Sequence, residues 1–216
     1  MKFSQDIFNQ FIIENDIIKI FDTPIQLKSG KQSHVYINWR QVASDPFLMN
    51  RLTDFVIHFS HRITRDIDTF FGVPEGATPL GLLTQFKYAQ MHDYSKGSHA
   101  LSIGRAKPKE HGDPSDRYFI GKPNGVTAVL EDVTTTGGSL ISCIEQLKAC
   151  NVNAPIAIGL TNREHPSSSQ SIKKTLHDLS VSYYAMSTAT ELIQTLLDTN
   201  PPSTKIKDAI KKEYQL

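Results

Sequence analysis

Apolar residues along this chain switch between two periods. At the N-terminus Phe3, Ile7, Phe8, Phe11 and Ile12 recur at helical spacing, which predicts an amphipathic helix with one buried face. Over residues 25–40 the pattern changes. Ser29-Gly30 marks a turn and residues 35–39 alternate faces, so this stretch reads as a hairpin. Asp45-Pro46 then starts a helix, with proline near its first position, and Leu48, Leu52, Phe55, Val56 and Phe59 carry a buried stripe to about Ser60. Beyond it, short apolar runs predict strands at 69–74, 99–104, 126–130, 155–160 and 181–186. Helical stretches separate most of them: one from near Pro79, one faced by Leu140, Ile141, Ile144 and Leu147, one at 189–197 and, after Pro201-Pro202, one at 205–214. Strands alternating with helices predict an α/β fold with a mainly parallel central sheet flanked by helices on both faces.

Chemistry concentrates in the connections. The strand at 126–130 runs into Glu131 and Asp132, and then into Thr134, Thr135, Thr136, Gly137, Gly138 and Ser139 before the next helix. Two acids, a flexible loop and a helix start are how an α/β protein builds a phosphate-ester site. Loop N–H groups and the helix N-terminus attract the anion, the carboxylates take hydroxyls or a metal, and glycine lets the backbone come close. Residues 105–117 hold two prolines, a glycine and many charges, which predicts a long, mobile loop. Its cations Arg105, Lys107, Lys109 and His111 suit a lid over an anionic ligand. In parallel sheets ligands sit beyond the carboxyl ends of the strands, where Glu75, Arg105, Glu131, Asp132 and Arg163 all fall.

Composition narrows the classes of partner. The 23 basic and 22 acidic residues of the 216-residue chain nearly cancel, so neither nucleic acid nor an anionic membrane is an expected partner. Cys143 and Cys150 lie about two helical turns apart, roughly 10 Å, too far for a disulfide. Neither a leader nor an apolar run of membrane-spanning length is recognisable, and a soluble cytoplasmic protein is expected.

The stretch at 130–139, Leu-Glu-Asp-Val-Thr-Thr-Thr-Gly-Gly-Ser, resembles the phosphoribosyl-pyrophosphate motif of type I phosphoribosyltransferases. Three further stretches narrow the resemblance to orotate phosphoribosyltransferase. Leu-Lys-Ser-Gly-Lys-Gln-Ser at 27–33, with Tyr36, Ile37 and Asn38, is similar to that family's N-terminal signature. Residues 105–112, ending Lys-Glu-His-Gly, resemble its mobile catalytic loop, and Thr-Asn-Arg-Glu at 161–164 matches its base-contacting segment.

The resemblance implies a single domain over 1–216, with a small N-terminal hood and dimer region at about 1–45 and the core at about 46–216. It implies transfer of phosphoribose from phosphoribosyl pyrophosphate to orotate, giving orotidine 5′-monophosphate and pyrophosphate, within pyrimidine biosynthesis. By analogy Glu131 and Asp132 bind the ribose hydroxyls and residues 134–139 hold the 5′-phosphate. Lys28, Tyr36, Ile37, Asn38 and Arg163 border the base, while Lys109, supported by Arg105 and His111, serves the leaving group. Mg²⁺ would bridge pyrophosphate and ribose with few protein ligands, none of them assigned. The family's loop acts across a homodimer with shared active sites.

Two positions depart from the pattern. Many bacterial members carry Tyr-Lys as a pyrophosphate contact after the second strand, where this chain has Glu75-Gly76, and many carry lysine where it has Ala106. Two alternatives therefore stay open: a non-catalytic phosphoribosyl-pyrophosphate-binding regulator, and a phosphoribosyltransferase for another base.

Overall fold

A computed structural model describes residues 2–27, 30, 32–105, 107–111, 117–164 and 171–216. Lys28 and Ala106 lie outside the described residues. Helix α1 (Gln5–Glu14) leads into an antiparallel pair, β1 (Ile18–Gln26) and β2 (Gln32–Ile37), followed by a short helix α2 (Arg40–Ala43) and the long α3 (Pro46–Ile63). Asp45 explains the start of α3, since its Oδ1 accepts the N–H groups of Phe47 and Leu48 at 2.8 and 3.0 Å. Such a cap contributes about 1 kcal/mol.

From here strands and helices alternate. The order is β3 (Thr69–Gly72), α4 (Thr78–Gln90), β4 (Ile103–Gly104), β5 (Phe119–Ile120), β6 (Thr127–Thr134), α5 (Gly138–Ala149), β7 (Ile156–Asn162), α6 (Ile172–Asp178), β8 (Ser182–Ala185), α7 (Ala189–Thr199) and α8 (Thr204–Tyr214). Strands β3, β6, β7 and β8 form a parallel sheet in the order β3-β6-β7-β8. The predicted α/β architecture is present.

Period-two alternation gives the sheet its two faces. Phe70, Ala128, Leu130, Ile156 and Ile158 enter one core with residues of α1, α3, α7 and α8. Their neighbours Phe71, Val129 and Ala157 enter a second core with Leu140, Ile144 and Leu147 of α5 and Ile172 and Leu176 of α6. Ile206 and Ile210 bring α8 into the first core, where the chain's last helix also meets β2.

Three elements differ from the sequence expectation. Strand β6 does not stop at Leu130 but pairs with β7 as far as Thr134, so the acidic pair stands on the ladder itself. Of the strand expected at 99–104 only Ile103 and Gly104 pair, and they do so with β5, which has too few residues to show alternation. Helix α6 escapes a pattern reading because two buried apolar residues, Ile172 and Leu176, are all that mark its face.

Candidate active site

The chemistry at the end of β6 follows from which way each residue faces. Glu131 shares the side of Val129 and is buried, 7 % exposed. Burial, then a hydrogen bond to Asp132 and that neighbour's charge, push its carboxyl up to about 9, so it keeps its proton at neutral pH. Cys143 of α5 sits in the same region, its thiol pushed up to about 12 by burial and by Glu131. Asp132 is half-buried and accepts the N–H of Val133 at 2.7 Å. The pair therefore offers one proton and one set of acceptor oxygens to a ligand.

The Thr/Gly loop continues from this pair. Gly137, at φ 74°, caps α5 in the left-handed region, and a side chain there would overlap Ile172. Glycine is the residue that meets both demands. The N–H groups of the first turn of α5 then face the loop with no partner inside the helix. Behind the loop, Tyr183 Oη and Thr134 Oγ1 meet over Gly159, where a Cβ would come within 2.5 and 2.8 Å of them. Burial pushes the Tyr183 hydroxyl up to about 12, so it stays protonated.

The end of β7 is tied to the same loop. The N–H of Arg163 donates to the Thr134 carbonyl at 2.7 Å, and that of Glu164 to Asn162 Oδ1 at 2.9 Å. The indole Nε1 of Trp39 donates to Thr161 Oγ1 at 3.1 Å across a sequence separation of 122 residues, and the Ser187 hydroxyl lies 3.1 Å from the same oxygen. From β3, the loop 74–76 leans over the acids, and a Cβ on Gly76 would come 2.9 Å from Asp132 Oδ2.

Together these segments line a cleft of about 710 Å³ at the carboxyl ends of the strands, formed by Arg40, residues 74–76, residues 131–139 and Arg163. A second opening, of about 590 Å³ around Asp68 and Lys122, lies at the opposite ends of β3 and β6, away from the acids and the loop. The strand-end cleft is the site that the parallel sheet favours.

Glu75, Gly76, Glu131, Asp132, Thr134, Thr135, Thr136, Gly137, Gly138, Ser139 and Arg163, all singled out from the sequence, are brought together in this cleft. The other described candidates are not among the residues that line it. Ile37 points into the first core, Tyr36 pairs with Lys19, and Asn38 donates its N–H to the Ile17 carbonyl. Arg105, Lys109 and His111 belong to the arm that extends the β4–β5 pair: Arg105 N–H donates to the Tyr118 carbonyl at 3.0 Å and Lys109 N–H to that of Arg117 at 2.8 Å. None of the three lines the cleft. Arg40 does line it and was not anticipated, because nothing local distinguishes one cation at a helix start from a solvated one. Among the described residues no group of three or more His, Cys, Asp or Glu side chains is placed to hold a metal, and no helix is long and apolar enough to cross a membrane.

No protein-family model matches the chain. Over 138 residues, 64 % of this chain, it is 30 % identical to the orotate phosphoribosyltransferase of Thermococcus gammatolerans and covers 68 % of that protein. Over 147 residues, 65 % of this chain, it is 31 % identical to the orotate phosphoribosyltransferase of Rhodopseudomonas palustris and covers 74 % of it. The solved orotate phosphoribosyltransferase of Francisella tularensis superimposes with a TM-score of 0.70 over 97 % of this chain and 98 % of that one, at 19 % identity, a likeness of fold.

Proposed function

Because this chain belongs to the orotate phosphoribosyltransferase family, we propose that it transfers phosphoribose from phosphoribosyl pyrophosphate to orotate, releasing pyrophosphate. The observation that carries the reading is the convergence of Glu131, Asp132, the 134–139 loop and Arg163 in one strand-end cleft. In this reading the 5′-phosphate sits against the loop and the first turn of α5, where unpaired N–H groups and the helix dipole favour an anion. The ribose hydroxyls donate to Asp132 and exchange hydrogen bonds with Glu131. Arg163 holds the planar carboxylate-bearing base with directed hydrogen bonds. Lys28, Tyr36, Ile37 and Asn38 would border the base from the N-terminal pair, with Ile37 offering backbone rather than side chain.

The chemical step separates charge, with positive character growing on ribose and negative charge on the leaving group. Lys109, with Arg105 and His111, would meet that charge when the arm closes over a cleft, excluding water and so hydrolysis. The donor set suits Mg²⁺: the carboxylate-bearing Asp132 and Glu75 line the cleft, and an ion that dehydrates reluctantly needs few protein ligands beside those of the donor. When bound, that ion would neutralise pyrophosphate charge.

The proposal extends to a cytoplasmic homodimer in which each arm reaches the partner's cleft. Exposed apolar residues on and beside α4, among them Leu83, Phe86, Met91, Tyr94 and Leu101, support such a surface.

Following orotate loss with phosphoribosyl pyrophosphate and Mg²⁺, for the wild type and Lys109→Ala, tests the reading. Wild-type turnover is expected and is lost in the variant. Donor binding without orotate turnover would favour the regulator, a reading that Glu75 at the pyrophosphate side of the cleft keeps in play.

A further inference from the structure

Two arginines line the cleft among the described residues, Arg163 and Arg40. Arg40 is exposed, opens α2, and makes no ion pair among the described residues. Its backbone, by contrast, is well held. The N–H of Arg40 donates to Asn38 Oδ1 at 3.1 Å, and its neighbour Trp39 is 4 % exposed, stacks on Phe8 and donates to Thr161 Oγ1.

That tether decides which part of the cleft Arg40 serves. Thr161 lies on β7, two residues before Arg163, so Trp39 pins the start of α2 to the strand end that carries the other guanidinium. Glu75 and Gly76 follow β3, which lies two strands away across β6. At the usual strand spacing this is about 10 Å. The backbone of Arg40 is thus anchored at the β7 end that carries Arg163.

We propose that Arg40 is a second anion-binding guanidinium at the base side of the cleft, pairing with Arg163 to hold the carboxylate of the acceptor base, with Trp39 and Thr161 as positioning residues. The assignment rests on the orotate reading above. It also gives that reading a source of selectivity: two guanidiniums at one end of a cleft favour a base bearing a carboxylate over a neutral one, because a neutral base would leave both unpaired.

The experiment compares wild type, Arg40→Ala, Arg40→Lys and Thr161→Val. It measures KM for orotate and for phosphoribosyl pyrophosphate separately, and direct orotate binding through the fluorescence of Trp39, the chain's single tryptophan. Arg40→Ala is expected to raise KM and Kd for orotate by about tenfold or more, with KM for the donor unchanged within twofold. Arg40→Lys should recover part of the loss. Thr161→Val should raise KM for orotate less than Arg40→Ala does, and leave the donor KM unchanged. Thermal unfolding of Arg40→Ala should match the wild type, since the side chain is exposed. A rise in the donor KM alone would move Arg40 to the pyrophosphate and overturn the assignment, as would unchanged orotate affinity. If the wild type binds orotate, more weakly in Arg40→Ala, but does not turn it over, the catalytic reading fails while this one stands; no orotate binding by the wild type overturns both.

Discussion

The ends of β6 and β7 hold their groups on a parallel ladder that runs through Thr134 and Asn162, and the loop beyond is closed by the Arg163-to-Thr134 hydrogen bond. The arm beyond β4 and β5 holds Arg105 and Lys109 by two paired positions and a few flanking hydrogen bonds, with Lys109 exposed. One region is built into the core ladder, whereas the described residues of the other lie on a two-residue pair and its flanking backbone hydrogen bonds. The difference matches the division of labour proposed for them. Groups that bind a donor in the ground state gain from rigidity, whereas groups that meet charge only in the transition state must first admit the substrate and then close.

The largest expected effect lies on the rigid side. Replacing both acids, Glu131→Gln with Asp132→Asn, removes one hydrogen bond to a charged carboxylate, about 1.5–3 kcal/mol, and alters one made by the neutral Glu131 carboxyl, about 0.5–1.5 kcal/mol. The kcat/KM for the donor should fall by about two to three orders of magnitude in steady-state assays. Should it fall less than tenfold, the ribose assignment is wrong. Lys109→Ala comes next: kcat should fall by about 10²–10³ while the melting temperature and donor binding hold, because in the proposed function the residue acts only at the leaving group. A variant equally impaired in donor binding would erase the contrast between the two regions.

Gly137→Ala tests the rigid loop through stability. A methyl at φ 74° that also overlaps Ile172 should cost about 1–3 kcal/mol in chemical denaturation and weaken donor binding with it. A variant as stable as the wild type would show that the loop tolerates rearrangement.

A last effect concerns pH. Glu131 keeps its proton up to about 9 in the folded chain but releases it near 4.5 when unfolded. Between those values the folded chain binds one more proton, so the stability this group lends is complete below about pH 4.5 and is lost as pH rises toward 9. The melting temperature of the ligand-free wild type should therefore drop more steeply than that of Glu131→Gln between pH 5 and pH 9. Parallel curves would place Glu131 in water.

How much of this was legible follows the same division. Short apolar runs at β6 and β7, separated by helical stretches, announce a parallel sheet, and the acids with their Thr/Gly loop announce a phosphate-ester site, because each depends on residues adjacent in sequence. The extension of β6 through Glu131 to Thr134 was hidden because polar residues there pair on a ladder that apolar patterning does not register. Arg40 was hidden because its place is set by a hydrogen bond from Trp39 to a residue 122 positions away. The arm's cations were visible as a charged loop, but the relation to the cleft proposed for them depends on closure rather than on pattern. Ile37 shows the converse: a motif residue whose side chain serves the core.

The contrast between a rigid donor site and an arm that acts later is tested most directly by titrating phosphoribosyl pyrophosphate with Mg²⁺ calorimetrically into wild type, Asp132→Asn and Lys109→Ala, with orotate turnover measured on the same samples. The account predicts that Asp132→Asn loses donor affinity by tenfold or more, while Lys109→Ala binds within about threefold of wild type yet turns over poorly. Donor affinity lost in Lys109→Ala and retained in Asp132→Asn would contradict it.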